Sequence, residues 1–238
     1  MNESIFFKNN KDFVTFGLEH LIVVLIFITF GFLLINWAKK LPTERKFKVG
    51  YLYAWSISIS LILWTIIKVS LEGFNLQEDI PLHLCNILAL LLPLLTFKRK
   101  KSVHLILFFW ILAGTTHAII TPSVGSSFPY FGAFKYWYVH AGLVIFALYS
   151  TIVYQFYPTL KSVFSAFFAM QIYIIIMYGI NWLLGTNYFY TNGKPKVATA
   201  LDYLGAYPTY VFVVILIMIP YFLLLYLPFY FLKNKSDN

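Results

Sequence analysis

The chain is a succession of seven apolar runs, at about 16–38, 50–70, 80–97, 103–120, 136–156, 161–184 and 207–232, separated by short polar breaks. Roughly 20 mostly apolar residues suffice for a helix to cross a bilayer. Seven such helices use about 140 residues, which leaves only loops and tails and no room for a separate soluble domain. Charged residues make up 11% of the chain, against about 25% in soluble proteins. The expected fold is therefore all-α: a polytopic membrane helix bundle of about seven transmembrane helices, with residues 1–238 as a single transmembrane domain. The first run is followed at once by Lys39 and Lys40. A signal peptide carries its charge before a shorter apolar core, so this run reads as a retained helix.

The breaks have physical causes. Lys39 to Lys48 is basic and holds Pro42. Glu72, Glu78 and Asp79 lie in an acidic loop ending at Pro81, a residue suited to a first helical turn. Lys98, Arg99, Lys100 and Lys101 are too charged for the bilayer core. Thr121 to Lys135 contains Pro122 and Pro129 and reads as an interfacial cap, a re-entrant segment or a plain connection.

The net charge is +9. Its carriers sit beside the apolar runs, the pattern of topology signals and anionic-lipid contact, so no nucleic-acid partner is expected. One side of the bundle collects Lys39, Lys40, Arg45, Lys46, Lys48, the Lys98–Lys101 run, Lys161, Lys233 and Lys235. The other collects Lys8, Lys11, Lys135, Lys194 and Lys196, and Lys68 falls within the second run. The positive-inside rule then places the N-terminus outside and the C-terminus in the cytoplasm of a multi-pass cell-membrane protein.

With that topology, His20 and Glu19, His83, Cys85 and Asn86, His117, His140, Asn181 and Asp202 all fall at the extracytoplasmic level. His104 alone among the histidines falls on the other side. Ionisable groups inside a membrane usually face the bundle interior or a wet cavity. A shared polar cavity near the outer face is expected, the alternative being rings resting singly at the headgroup level. Cys85 is the only cysteine, which excludes an intrachain disulfide and a multi-cysteine metal site. The histidines come from different helices with no compact ligand spacing, so no metal and no cofactor are expected. A thiol with a nearby histidine is the minimum for covalent acyl transfer, although a lone membrane cysteine is also a common packing residue. Residues two apart on a helix point about 200° apart, so His83 is a poor base for Cys85. His20, His117 and His140 stay open as bases. Tyr136 shares a face with His140, Glu19 is an orienter candidate, and Asn86 or the backbone amides after Pro81 are oxyanion candidates. Gln171 and Asn181 read as interhelical hydrogen-bonding residues.

Three stretches carry a family resemblance: Pro81-Leu82-His83-Leu84-Cys85, the order Thr121-Pro122, Phe128-Pro129 and His140, and Asp202-Tyr203-Leu204-Gly205 with Tyr207-Pro208 before the last run. Over about residues 15–230 the chain resembles the bacterial YwaF-type integral membrane proteins, which are similar to the eukaryotic transmembrane protein 164 family. The resemblance implies a lipid acyltransferase that moves a fatty acyl chain between phospholipids and lysophospholipids through a cysteine thioester. Cys85 is then the nucleophile and His140 the base, and the protein is expected to act as a monomer. Two other readings remain: a small-solute or ion transporter with a histidine-lined polar cavity, and a non-catalytic structural or regulatory membrane protein.

Overall fold

The computed structural model describes residues 12–122, 124, 126–195 and 199–236. Lys8, Lys11 and Lys196, which enter the charge count, lie outside them. Seven long helical segments follow one another: α1 (Leu18–Lys39), α2 (Thr43–Glu72), α3 (Leu84–Phe97), α4 (Lys101–Ile120), α5 (Phe131–Ile152), α6 (Leu160–Leu184) and α7 (Thr209–Ser236). No strand occurs among the described residues. Six of the helices are long and apolar enough to cross a membrane, and α3 is a shorter apolar helix. The chain is a multi-pass membrane protein.

Helix ends follow local chemistry. Thr159 and Ser162 cap α6 reciprocally, and Gly185 closes it in the left-handed conformation at φ 63°. Gly73, at φ 81°, ends α2. Several boundaries differ from the hydropathy reading. The second and fifth helices begin earlier, at Thr43 and Phe131, because a basic or amphipathic first turn continues a helix that hydropathy alone does not register. Lys135 is therefore a helical residue of α5, not part of a loop. In contrast, α3 begins later than Pro81, at Leu84. The Tyr173 hydroxyl donates to the Leu82 carbonyl at 2.8 Å, and the Tyr188 hydroxyl donates to Leu76 O at 2.6 Å and accepts from the Ile80 amide at 3.2 Å. These bonds hold the acidic loop extended against α6 and the loop after it.

The core lies between α2, α3, α5 and α6, with Ile57, Leu61, Leu88, Leu92, Val139 and Leu143 all buried. Close approach uses small residues, as in other membrane bundles. A Cβ on Gly50 would come within 1.9 Å of the Tyr154 hydroxyl. The lipid-facing sides of α1 and α7 remain apolar and exposed, as at Leu25, Phe32, Leu216 and Leu224.

The two ends of the bundle differ in polar chemistry. At the end carrying the α1–α2 and α3–α4 connections, Arg99 chelates Glu44 through two bonds of 2.9 Å. At the other end, Lys68 meets the buried Asp79 at 2.5 Å, and Asp79 also accepts from the Asn75 amide at 2.6 Å. Burial works to raise the Asp79 pKa, but the Lys68 ammonium and the Asn75 amide outweigh it and hold the carboxyl below its ordinary value of 3.8. A depressed carboxyl pKa stabilises the fold above the unfolded value, and the contribution is lost as pH falls through the folded one. Asp79→Asn is expected to cost about 3 kcal/mol at pH 7 by removing the buried partner of Lys68, which keeps only the exposed Glu78 at 3.4 Å. In thermal unfolding, its deficit against wild type should shrink as pH falls below the carboxylate range. A deficit independent of pH would assign the loss to packing instead.

Candidate active site

Cys85 is the second residue of α3, in its first turn. The first amides of a helix have no intrahelical partner, and no side chain caps this end. Cys85 is thus closer to the positive end of the helix dipole than a helix starting at Pro81 would place it. The shortness of α3 also recesses the thiol. Ser58 Oγ donates to Leu90 O at 3.1 Å, which makes Ser58 and Leu90 level in this antiparallel pair. Cys85 is then level with about Leu63, roughly 13 Å below the end of α2 at 1.5 Å per residue.

The position of His140 follows from the adjoining face of α2. Gly142 packs on Ile57, where an added Cβ would meet its side chain at 3.1 Å. His140 is then level with about Ile59, and Lys135 with about Trp64. The Lys135 ammonium does lie over the Trp64 ring, 4.3 Å from its centroid. Cys85 and His140 therefore differ in depth by about one helical turn, roughly 6 Å. Leu84, Leu88, Val139 and Leu143 belong to one core cluster, and Cys85 packs against it.

Two neighbours define the state of the pair. The Cys85 thiol lies 3.5 Å from the Thr115 hydroxyl. Thr115 closes a π-helical turn, Ile111–Thr115, inside α4; hydropathy alone reads this stretch as plain helix. Such turns re-aim side chains and recur at functional sites. His140 is buried, with Nδ1 2.7 Å from the Tyr136 carbonyl. A carbonyl only accepts, so Nδ1 carries the hydrogen and Nε2 presents a lone pair. The Tyr136 ring covers the imidazole at a centroid distance of 4.2 Å, and its hydroxyl donates to Ala118 O at 2.8 Å. No hydrogen bond joins Cys85 to His140 directly.

Lys135 is the residue that sequence reasoning missed. It is half-buried, makes no ion pair with a carboxylate among the described residues, and acts electrostatically on Cys85, His83 and His140. A lysine in this position resembles an ordinary loop charge until α5 is seen to begin at Phe131.

Most of the other polar residues at this end are engaged with partners other than Cys85. His20 is buried; its Nδ1 accepts from the Phe16 amide at 2.9 Å, so Nε2–H donates to Ile119 O at 2.9 Å. Both ring nitrogens are committed to a clamp between α1 and α4. Glu19 accepts from the Phe128 amide at 3.0 Å and anchors the α4–α5 connection rather than orienting a histidine. His117 is exposed and packs on Tyr221 of α7. His83 precedes α3 and lies against Tyr188 and Tyr190, with its Nδ1 accepting from the Phe189 amide at 3.4 Å. Asn86 is half-buried and makes no side-chain hydrogen bond among the described residues.

Asn181 is fully satisfied within its own connection, by the Tyr188 backbone, Thr186 and Thr191, rather than between helices. Gln171 does reach across to α7, with its amide 3.7 Å from Met218 Sδ. Asp202 caps the 3-10 turn Ala200–Leu204 by accepting from the Thr199 amide, and pairs with Lys194 at 3.7 Å. Among the described residues, no three His, Cys, Asp or Glu side chains are grouped as a metal would require.

The sequence model of the TMEM164 family matches residues 15–226. The chain belongs to the TMEM164 family. No curated protein and no solved structure matches it. The match covers every helix from α1 into α7, so Cys85, Thr115, Lys135 and His140 all lie within the TMEM164-matched region.

Proposed function

We propose that the protein is a membrane acyltransferase that moves a fatty acyl chain between phospholipids through a Cys85 thioester, with His140 as the base. The observation that supports this most is that Cys85 and His140 are both recessed below the end of α2, within about one helical turn of each other in depth, with the imidazole held in the tautomer a base requires. The Ser58, Ser60 and Thr65 hydroxyls of α2 each donate to a helix carbonyl. A solute pathway therefore draws no support from them.

In the first half-reaction, His140 Nε2 takes the thiol proton. Cys85 Sγ attacks the ester carbonyl carbon, and the C=O electron pair moves onto oxygen. The free amides of the first turn of α3 face charge of this kind as backbone donors, and the Lys135 ammonium adds a positive field. Collapse breaks the acyl C–O bond, and the His140 imidazolium protonates the departing lysophospholipid oxygen. In the second half-reaction, His140 deprotonates the hydroxyl of an incoming lysophospholipid. That oxygen attacks the thioester carbonyl and releases the Cys85 thiol. Nothing is oxidised or reduced, and no cofactor is consumed.

The charge asymmetry between the ends supports an N-terminus outside and a reaction on the extracytoplasmic side of the cell membrane. The reading is tested by incubating purified protein with unlabelled phosphatidylcholine and isotope-labelled lysophosphatidylcholine. Labelled diacyl lipid is expected; its absence, together with no acyl adduct on the protein, overturns the proposal. Thr115→Val should slow labelled product formation about tenfold, the worth of one hydrogen bond to a charged group. Thr115→Ser should restore most of the rate. Equal rates for Val and wild type would remove Thr115 from the site.

A further inference from the structure

The end of the bundle remote from Cys85 carries a cavity of about 360 Å³ between the first turns of α2, the end of α3 and the segment after α5. It is lined by Arg45, Lys48, Arg99, Phe47, Tyr51 and Tyr154, among others. Its one carboxylate, Glu44, is fully occupied by the guanidinium of Arg99 through two bonds of 2.9 Å. Arg45 and Lys48 have no ion-pair partner among the described residues, and they lie three apart on one face of α2. The cavity therefore carries two uncompensated positive charges.

Three further features suit it to an anion. The N-terminus of α2, a helix of 30 residues, has no side-chain cap, and its dipole favours negative charge. Tyr154 lines the cavity, and its hydroxyl, which lies against Gly50, has no hydrogen-bond partner among the described residues. Arg99 holds φ at 52°, in the left-handed region that a non-glycine residue rarely adopts. That backbone turn sets its guanidinium 4.5 Å over the Phe47 ring, which itself stacks on Tyr154 at 4.3 Å. The rim is apolar: Phe97, which ends α3, is 64% exposed.

We infer that this cavity binds the phosphate of an anionic phospholipid. Arg45, Lys48 and the α2 amides face the phosphate oxygens, and the exposed Phe97 rim meets the lipid's glycerol and chains. A zwitterionic headgroup gains less here, because its own ammonium would face the unpaired Arg45 and Lys48. The site is separated from Cys85 by the rest of α3, about 18 Å from Cys85 to Phe97, and does not depend on the acyltransferase reading.

The test is native mass spectrometry of the full-length protein in detergent, titrated with phosphatidylglycerol, phosphatidylcholine or glycerol 3-phosphate. Wild type should retain phosphatidylglycerol at least fivefold over phosphatidylcholine. The Arg45→Gln/Lys48→Gln variant should lose that preference. A charge-matched Lys39→Gln/Lys40→Gln variant, altered at exposed residues of the neighbouring α1 end, should keep it. Equal retention of the two lipids by wild type, or equal losses in both double variants, would show diffuse surface charge rather than a site. Glycerol 3-phosphate binding as tightly as phosphatidylglycerol would overturn the assignment to a lipid.

Discussion

Cys85→Ser protein incubated with a phospholipid of defined chain length is expected to carry no acyl mass, whereas wild type gains one hydroxylamine-labile acyl group. Transfer of label to lysophospholipid should fall at least about a thousandfold, the scale of losing a nucleophile from a unit that acts together. The substitution changes one atom and little volume. It keeps a hydroxyl that can bond Thr115 in place of the thiol, so the fold at the start of α3 should persist. What changes is the chemistry. A hydroxyl is a far weaker acid than a thiol, with a much smaller ionised fraction for the same base to draw on. Thermal unfolding unchanged from wild type, with the adduct gone, is the expected combination. A labile adduct on the variant, or a rate within tenfold of wild type, would place the nucleophile elsewhere and return Cys85 to a packing role.

His140→Gln should lower the rate about 10²- to 10⁴-fold, the usual contribution of a positioned base. The dependence on pH separates this from a structural effect. Without a base the thiol must ionise on its own, and free thiols do so near pH 8.5. The variant's residual rate should therefore climb as pH rises from 7 to 9, narrowing its gap to wild type. A damaged fold would leave the gap constant or widen it. His20→Gln provides the contrast. Its ring nitrogens bond Phe16 and Ile119, so the change should lower stability while the folded fraction transfers acyl groups at an ordinary rate. A full rate in His140→Gln, or a loss confined to catalysis in His20→Gln, would reassign the base.

Lys135 shows why part of the site escapes sequence reasoning. Its charge suggests a loop in a membrane protein, and its neighbours Trp64 and Lys68 belong to α2, far away in the chain. Only the α2–α5 register sets it over the indole. Thr115 is similar. One hydroxyl in an apolar run carries no signal of a π-turn. The histidines illustrate the opposite case. Their common level is legible from spacing, yet sharing a level does not mean sharing a cavity. His20 is spent on a clamp, His83 on a loop contact and His117 on a neighbour of α7, since each helix turns its face toward a different partner.

Seven apolar runs, their polar breaks and a shortage of charge by themselves determine a multi-pass helical membrane protein. The reason is that backbone groups in a bilayer must bond within their own segment. The short motifs around Cys85 and His140 likewise point to the TMEM164 family without any coordinates. Tertiary structure alone decides that α3 starts at Leu84, that Cys85 is recessed and bonded to Thr115, and that His140 offers Nε2. These depend on which helices lie side by side and at what register. Contacts such as Ser58 with Leu90 and Gly142 with Ile57 establish that register, and hydropathy does not encode it.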